Sequence, residues 1–597
     1  MPTTLSAVPA FNNPPATPIQ GWSNSFVNIS NDKQTPLYAQ ASYLTNVRTD
    51  GSVPVSFAKT QKDVINNVKV SQAQNIYEAD FEYGAQPLRW DNLATGTATI
   101  RQNPQQGAVI MQINGLNEVT IRQSRPYHRY QPGKAMYMAT AVNFGGNVNG
   151  QVQRVGFFDD SNGIFFEQGN QNPSVNAAGM GVVVRSDIGG LPFDQRFESN
   201  TWTDPHGIAG SLDWTKIQML WMEYAWYGAG ALRWGVLLNG EAYILHEVGT
   251  GNNFTQAWAR TGNLPVRYEQ RNYTSSTPST LTHYGVSVLI EGGRDNQRGF
   301  TYSYGSGSSL RAVPAGSQRY PLLTIRNRTM GNIQYTGTAT GAGVNVGSAG
   351  GPLAFNATGL PSQSLSGLQI FFPTLVGTGY PNGVTGRIWD STSTRLTCVD
   401  INLGTYQSNG TYPTPTYSYL SGIFVGGNGV TPTTPTATSP TYLNVANGTP
   451  FQIGLINRGQ ILPQELLLNS NANAYLEFFV STPNNPIILT GSSFVALSST
   501  PLNSYNSFAE RDISATSFTG GECVYGFWIN GYNNPAALPA SNPAQYQVQD
   551  KDLSFFFPLY NSIKGNLTDN LTLAVTLSTG TNGALFGANI LGQEAMS

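Results

Sequence analysis

The sequence predicts an all-β, multi-domain protein built from β-sandwich or jelly-roll modules. Three observations carry this expectation. Glycine (65) and proline (36) are spread along all 597 residues, which favours short strands separated by tight turns. Tyr (29) and Phe (28) stand among many Val and Thr, the residue types that suit a pleated, half-buried surface. Long helical patterns rich in Ala, Leu, Glu and Lys are absent from the sequence. At roughly 100–200 residues per domain, the length allows about three or four domains. A hydrophobic content of 40% is enough for several cores.

Taken in order, residues 1–60 read as an extended anchoring arm. Pro9, Pro14, Pro15 and Pro18 precede polar stretches too weakly periodic to bury a core alone. Residues 61–290 carry the clearest strand signals: AVIMQI, AMYMATAV, RVGFF, GIFFEQ and GVVVR, each bounded by Gly, Asn, Asp or Pro. In WTKIQMLWMEYAWYG, period two places Ile217, Met219, Trp221 and Glu223 on one face. LRWGVLL and EAYILHEV then flank Asn239-Gly240, the signature of a two-residue type I′ hairpin, whose central residues both need φ > 0. A meander of this kind must cover its apolar face, and a second sheet is the usual solution. Residues 291–430 stay β-like but become richer in Gly and Thr, and 431–440 lie in a Pro/Thr linker or surface loop. Residues 441–597 resume strand runs (PFQIGLI, AYLEFFV, CVYGFWI, LTLAVTL) that read as a C-terminal sandwich.

Charge narrows the function classes. Charged residues make up only 11% of the chain, against a typical value of about 25%, so its surface is polar without being charged. Net charge is −2 and no run of Lys or Arg occurs, which argues against a nucleic-acid groove. No stretch approaches the ~18 apolar residues of a membrane helix, and the N-terminus lacks a secretory leader pattern. The expectation is synthesis in a cytosol, then delivery by assembly or lysis, with neither nucleic acid nor membrane as partner. Cys398 and Cys523 sit in apolar strand-like stretches and read as buried free thiols.

Several segments resemble a family of tailed-phage virion structural proteins, some of them tail or fibre proteins. They are TQKDVINNVKVSQAQNIYEADFEYGAQPLRWDN (60–92), RQSRPYHRYQPGKAMYMAT (122–140), RVGFFDDSNGIFFEQ (154–168), NLPVRYEQ (263–270) and a run within 489–529 ending in GGECVYGFWI. The segments Tyr130–Lys134 and 156–168 are the most specific. The resemblance implies a particle component made of β-sandwiches, one of them concanavalin- or lectin-like, spanning most of 60–597. It brings no catalytic site. Residues 1–59 and the Gly/Thr/Pro-rich stretches at 336–352 and 408–440 depart from the family pattern, leaving the position in the virion open. On the residues alone, Gln-Pro-Gly-Lys is a turn, and FFDDSNGIFF is two short strands around a polar turn.

Each candidate site also admits a structural role. His128, His206, His246 and His283 show no metal-ligand spacing, and neither HExxH nor CxxC occurs, so neither metal nor cofactor is expected. His246, in ILHEV, reads as a strand histidine. Asp159, Asp160 and Glu167 would supply a glycosidase only if two carboxyl groups stood about 5–9.5 Å apart. Asp159 and Asp160 fall in a turn where Asp bonds the backbone, and they lack the alternating ligands of a calcium loop. No catalytic residues are assigned. Trp214, Trp221, Trp226 and Trp234 cluster, and core packing is the commoner fate of Trp in a sandwich. Trp226 and Tyr227, beside the loop YGAGA, are the candidates for glycan binding. The expected function is therefore a non-enzymatic virion structural protein on the particle exterior (capsid decoration, head fibre or tail appendage). It would contact other virion proteins and form homo-oligomers, with a trimer as the expected state. The alternatives are a receptor- or glycan-binding tail fibre, with a host surface glycan as partner, and a tailspike depolymerase.

Overall fold

The computed structural model describes residues 26–28, 38–40 and, with interruptions of which 530–546 is the longest within them, 73–402 and 447–595. The expected linker at 431–440 and most of the arm at 1–60 lie outside the described residues. Within the unit Met1–Lys69, Phe26–Asn28 pairs antiparallel with Tyr38–Gln40. The unit Val70–Ser597 is all-β and multi-layered, as its composition predicts. Among its described residues, helical structure is limited to two 3-10 turns, Ser199–Thr201 and Ala209–Ser211.

The first sandwich packs a seven-stranded sheet on an eight-stranded one. The seven-stranded order is Phe193–Glu198, Met180–Ser186, Gly163–Gly169, Gln151–Phe158, Val266–Asn272, Val119–Ser124 and Trp90–Ala94. The eight-stranded sheet runs Glu241–Gly249, Ala231–Leu238, Gln218–Tyr224, Met136–Asn143, Ser279–Ile290, Ala108–Ile113 and Thr99–Asn103, with Gln74–Ala79 also paired to Ser279–Ile290. Alternation sends Val155, Phe157, Ile164, Phe166, Val182 and Tyr268 inward to meet Met138, Leu220, Met222, Tyr224 and Trp234. The Asn239-Gly240 turn has φ values of 54° and 85°, as a type I′ hairpin requires.

The face bearing Met219, Trp221 and Glu223 is the outer one, because Leu220, Met222 and Tyr224 take the core. Trp221 is nevertheless buried there. It stacks on Tyr137 with centroids 5.8 Å apart and lies over Gly235, where a Cβ would stand 2.2 Å from the indole.

Sheet membership cuts across the sequence-expected boundary at 430–441. A five-stranded sheet includes Phe300–Ser303 and Arg311–Val313 with Ala584–Ala595, Gln460–Ser470 and Gln547–Asp552. It shares a core with a six-stranded sheet ordered Val495–Ala496, Ala509–Asp512, Tyr320–Asn327, Asn570–Leu577, Ala474–Val480 and Glu522–Ile529. The apolar run PLLTI at 321–325 needs neighbours on both sides, and finds them at 509–512 and 570–577. Between Tyr320–Asn327 and Gln460–Ser470 the chain forms a separate seven-stranded sheet whose described strands span Met330–Ile456. Its own core contains Phe355, Ile370, Phe372, Ile388 and Phe451.

The cysteines divide. Both are free; Cys398 is buried, as its surroundings predict, and burial pushes its thiol up. Cys523 is exposed, which corrects the expectation: Glu522–Ile529 is the outermost strand of its sheet, so an apolar neighbourhood in sequence does not become a buried one.

Candidate functional site

Three loops of the first sandwich converge on an aromatic cluster. The hairpin after Gln218–Tyr224 presents Trp226, half-buried, and Tyr227, which is 54% exposed. The two rings stack at 4.6 Å and 28°. Trp226 is anchored: its Nε1 donates to the Ala259 carbonyl at 2.7 Å, and its ring rests on Gly262, where a Cβ would lie 2.7 Å from Cγ. The segment between Val119–Ser124 and Met136–Asn143 adds Tyr130. Its ring meets those of Trp226 and Tyr227 edge-on, each at 5.9 Å, and stacks on Tyr224 at 6.1 Å. The Tyr130 amide donates to Asn263 Oδ1 at 2.9 Å, and Tyr224 Oη donates to the Gly262 carbonyl at 2.7 Å. The structure thus brings the predicted pair together and adds Tyr130, which sequence reasoning missed. A signal was present: Tyr130 opens one of the two segments that carry the phage-protein resemblance most specifically, and Gly133 in it takes positive φ (78°) in the expected turn. Trp221 and Trp234 are buried, while Trp214 and Trp226 are half-buried and both pack against the core; of the four, Trp226 is the one that touches Tyr130 and Tyr227.

The arrangement leaves Tyr227 more than half exposed, its ring stacked on the half-buried Trp226 and beside the buried Tyr130. Such a surface takes the C–H face of a sugar ring through dispersion and the aromatic quadrupole.

The acidic candidates have structural employment. Asp159 Oδ1 accepts from the amides of Ser161 (2.8 Å) and Asn162 (2.9 Å), the backbone-bonded turn expected of it. Asp160 pairs with Arg267 (2.7 Å) and Lys564 (2.5 Å). Glu167 accepts from Arg154 Nε at 2.6 Å and Arg196 Nη1 at 2.5 Å. Burial by itself would raise the Glu167 carboxyl, but the two guanidiniums overcome it and hold the group below the ordinary carboxylate range. Asp160 is held well below that range by Arg267 and Lys564 against the same burial. A general acid needs the opposite displacement.

These side chains share the outer face of the seven-stranded sheet with Glu269, which takes Arg154, Arg267 and Arg271. That face is covered. Ile563 packs on Val119 and Ile121, and its amide donates to Asp91 Oδ2 at 2.8 Å. Arg125 pairs with Asp569, and Arg387 donates to Ser161 Oγ at 2.6 Å.

Histidines are likewise placed in the fabric. His246 Nδ1 accepts from the Thr203 amide at 3.1 Å, and burial pushes its pKa down to about 4. His283 is buried against the Tyr268 ring at 3.8 Å. Among the described residues no group of three or more His, Cys, Asp or Glu is placed to hold a metal. No helix among them is long and apolar enough to cross a membrane.

No family model matches the chain, and no curated protein matches it by sequence. Solved structures similar to it include a family 16 glycosyl hydrolase from Mycobacterium smegmatis (11% identity, TM-score 0.25, covering 36% of this chain and 100% of that one). Others are a legume lectin-like domain from Entamoeba histolytica (12%, 0.22, covering 35% and 95%) and lectin I-B4 from Griffonia simplicifolia (12%, 0.22, covering 36% and 99%).

Proposed function

We propose that the chain is a non-catalytic, glycan-recognising β-sandwich protein that works as an appendage on the exterior of a virion. The observation that carries the recognition half is the Tyr130–Trp226–Tyr227 cluster, a buried aromatic anchor that ends in a solvent-facing ring. The virion setting is supported by the resemblance of residues 60–529 to phage structural proteins. A binding rather than hydrolytic role is supported by the acidic candidates, since Asp160 and Glu167 are committed to cations.

The test is a glycan array probed with the full chain and with Tyr227→Ala. An aromatic contact contributes about 0.5–1.5 kcal/mol, so the substitution should weaken binding of the recognised glycan by roughly tenfold at the upper end. A chain that binds no glycan, or a variant that binds as tightly as the parent, removes this reading. For the setting, immunogold labelling of intact particles with an antibody against residues 441–597 should decorate the particle surface. Gold over the head would favour a decoration or head fibre, gold at the tail an adhesin, and no gold would refute the virion assignment.

A further inference from the structure

The second sandwich carries an aromatic surface that the Tyr227 cluster does not explain. In its six-stranded sheet, Ala474–Val480 pairs antiparallel with Glu522–Ile529, placing Tyr475 opposite Trp528 and Glu477 opposite Gly526. Alternation sends Leu476, Phe478, Phe527 and Ile529 into the core and leaves Tyr475, Glu477, Gly526 and Trp528 on the outer face. Trp528 is 67% exposed, and its ring lies 5.1 Å from that of Tyr475 at 47°. Gly526 decides how Tyr475 lies. A Cβ there would stand 2.2 Å from Tyr475 Oη and 2.8 Å from Cζ, so the phenol reclines across the glycine and turns a face outward.

Part of the rest of this face is covered, while Cys523, whose Sγ contacts Glu477, stays exposed. Leu489 and Phe518, from the ribbon formed by Ile488–Thr490 and Ser517–Thr519, pack on Phe479 and Ala574. Between that cover and the two rings stands a polar fork. Arg319 donates to both Glu477 oxygens, at 3.2 and 3.3 Å, with its guanidinium 5.2 Å from the Phe479 ring centre.

We infer that this surface is a second carbohydrate site, taking one pyranose ring on Trp528 and Tyr475 with its hydroxyls toward Glu477 and Arg319. The chemistry matches in kind: a pyranose has an apolar C–H face for the rings, while its hydroxyls both donate to a carboxylate and accept from a guanidinium. A protein partner matches less well. Two rings flanked by an ion pair fall far short of the ~1,000 Å² a stable protein interface needs, and docking there would strip water from the ion pair. The inference does not rest on the Tyr227 cluster, which belongs to another sandwich.

The test titrates the full chain, Tyr227→Ala, Trp528→Ala and the double variant with three soluble probes: cellotetraose, maltotetraose and the β-1,4 tetramer of N-acetylglucosamine. Calorimetry reads binding and light scattering reads mass. Trp528→Ala should melt like the parent, because the indole is outside the core. At least one probe should bind Tyr227→Ala and lose roughly tenfold or more in affinity when Trp528 is also removed. If Trp528→Ala and the double variant bind every probe as their parents do, or if no probe binds the parent, the second site is refuted. If Trp528→Ala instead lowers the mass of an oligomer with sugar binding unchanged, the surface is a contact with a second copy and the inference is equally overturned. An effect of Trp528→Ala with none from Tyr227→Ala would keep this site and remove the first.

Discussion

Glu167→Gln separates a structural carboxylate from a catalytic one. In the folded chain Glu167 is clamped by Arg154 at 2.6 Å and Arg196 at 2.5 Å, with Glu167 and Arg154 both buried. Removing one partner of a buried pair typically costs about 3–5 kcal/mol, because the other charge is left unmatched. Here the penalty is softened: Arg154 keeps Glu269 at 2.8 Å and Arg196 keeps Glu198 at 2.8 Å. We therefore expect the lower end, about 3 kcal/mol. For a unit of about 150–250 residues, each 1 kcal/mol moves Tm by about 2–4 °C, so the first sandwich should melt about 6–12 °C lower. Differential scanning calorimetry on the full chain resolves this transition. Glu269→Gln is the internal control. Glu269 serves three guanidiniums and is fully buried, so its loss should cost more, toward about 5 kcal/mol. A Glu167→Gln transition within about 0.5 kcal/mol of the parent, the range of an ordinary surface change, would refute the structural role. Loss of reducing-end release from a polysaccharide at unchanged stability would make the residue catalytic instead.

Acid should loosen the two sandwiches unequally. Asp160, Glu167 and Glu269 are held below their unfolded values, so the stability they contribute is present above about pH 4 and is lost as pH falls through their lowered folded values. Glu594 of the second sandwich is displaced the other way by burial; its contribution is full below the unfolded value and fades as pH rises through the folded one. Calorimetry from pH 7 to pH 3 should therefore show the first sandwich losing Tm faster, and parallel loss in both would contradict the assignment. Gly235→Ala should also destabilise the first sandwich, because the new Cβ would stand 2.2 Å from both the Trp221 indole and the Tyr243 carbonyl oxygen. Overpacking of this kind costs about 1–3 kcal/mol, and an unchanged Tm would show that the strand yields freely.

Local rules were readable from the chain because they depend on neighbours in sequence. The Asn239-Gly240 turn, the Gly133 turn, the capping by Asp159 and the inward alternation at Phe157 and Phe166 all follow from residues within a few positions of one another. What was not readable depends on distant partners. Nothing in FFDDSN says that Asp160 will meet Lys564, or that Arg154 will stand between Glu167 and Glu269. The same holds for Tyr130, which reaches Trp226 only because both loops are tied to the 259–263 segment. The sheet that Tyr320–Asn327 joins is unreadable for a related reason. Composition changes along the chain, but Tyr320–Asn327 chooses its sheet by pairing with Asn570–Leu577.

The long-range contacts bear directly on where recognition can occur. A two-sheet sandwich has two outer faces and two rims. On the first sandwich, the seven-stranded face is taken by protein, with Ile563, Lys564, Asp569 and Arg387 seated on it through apolar, ionic and hydrogen-bonded contacts. A polysaccharide hydroxyl at Asp160 would have to compete with Arg267 and Lys564, which already hold that carboxylate. Over the strands at 218–249 of the eight-stranded face, Trp221 and Tyr137 stack on one another while Arg233 pairs with Glu223 and Glu247, so the charges there satisfy each other. The rim is different. There the chain spends three loops, one buried hydrogen bond and one part-buried one to hold rings that end in an exposed Tyr227. Groups so firmly placed lose little conformational freedom on binding, which is what a weak, stacking-based ligand requires. Tyr475, flattened over Gly526, and Trp528 beside it are placed in the same way. Two modest sites on one chain, multiplied by any oligomer, would bind a repeating surface glycan by avidity where neither site alone would hold it.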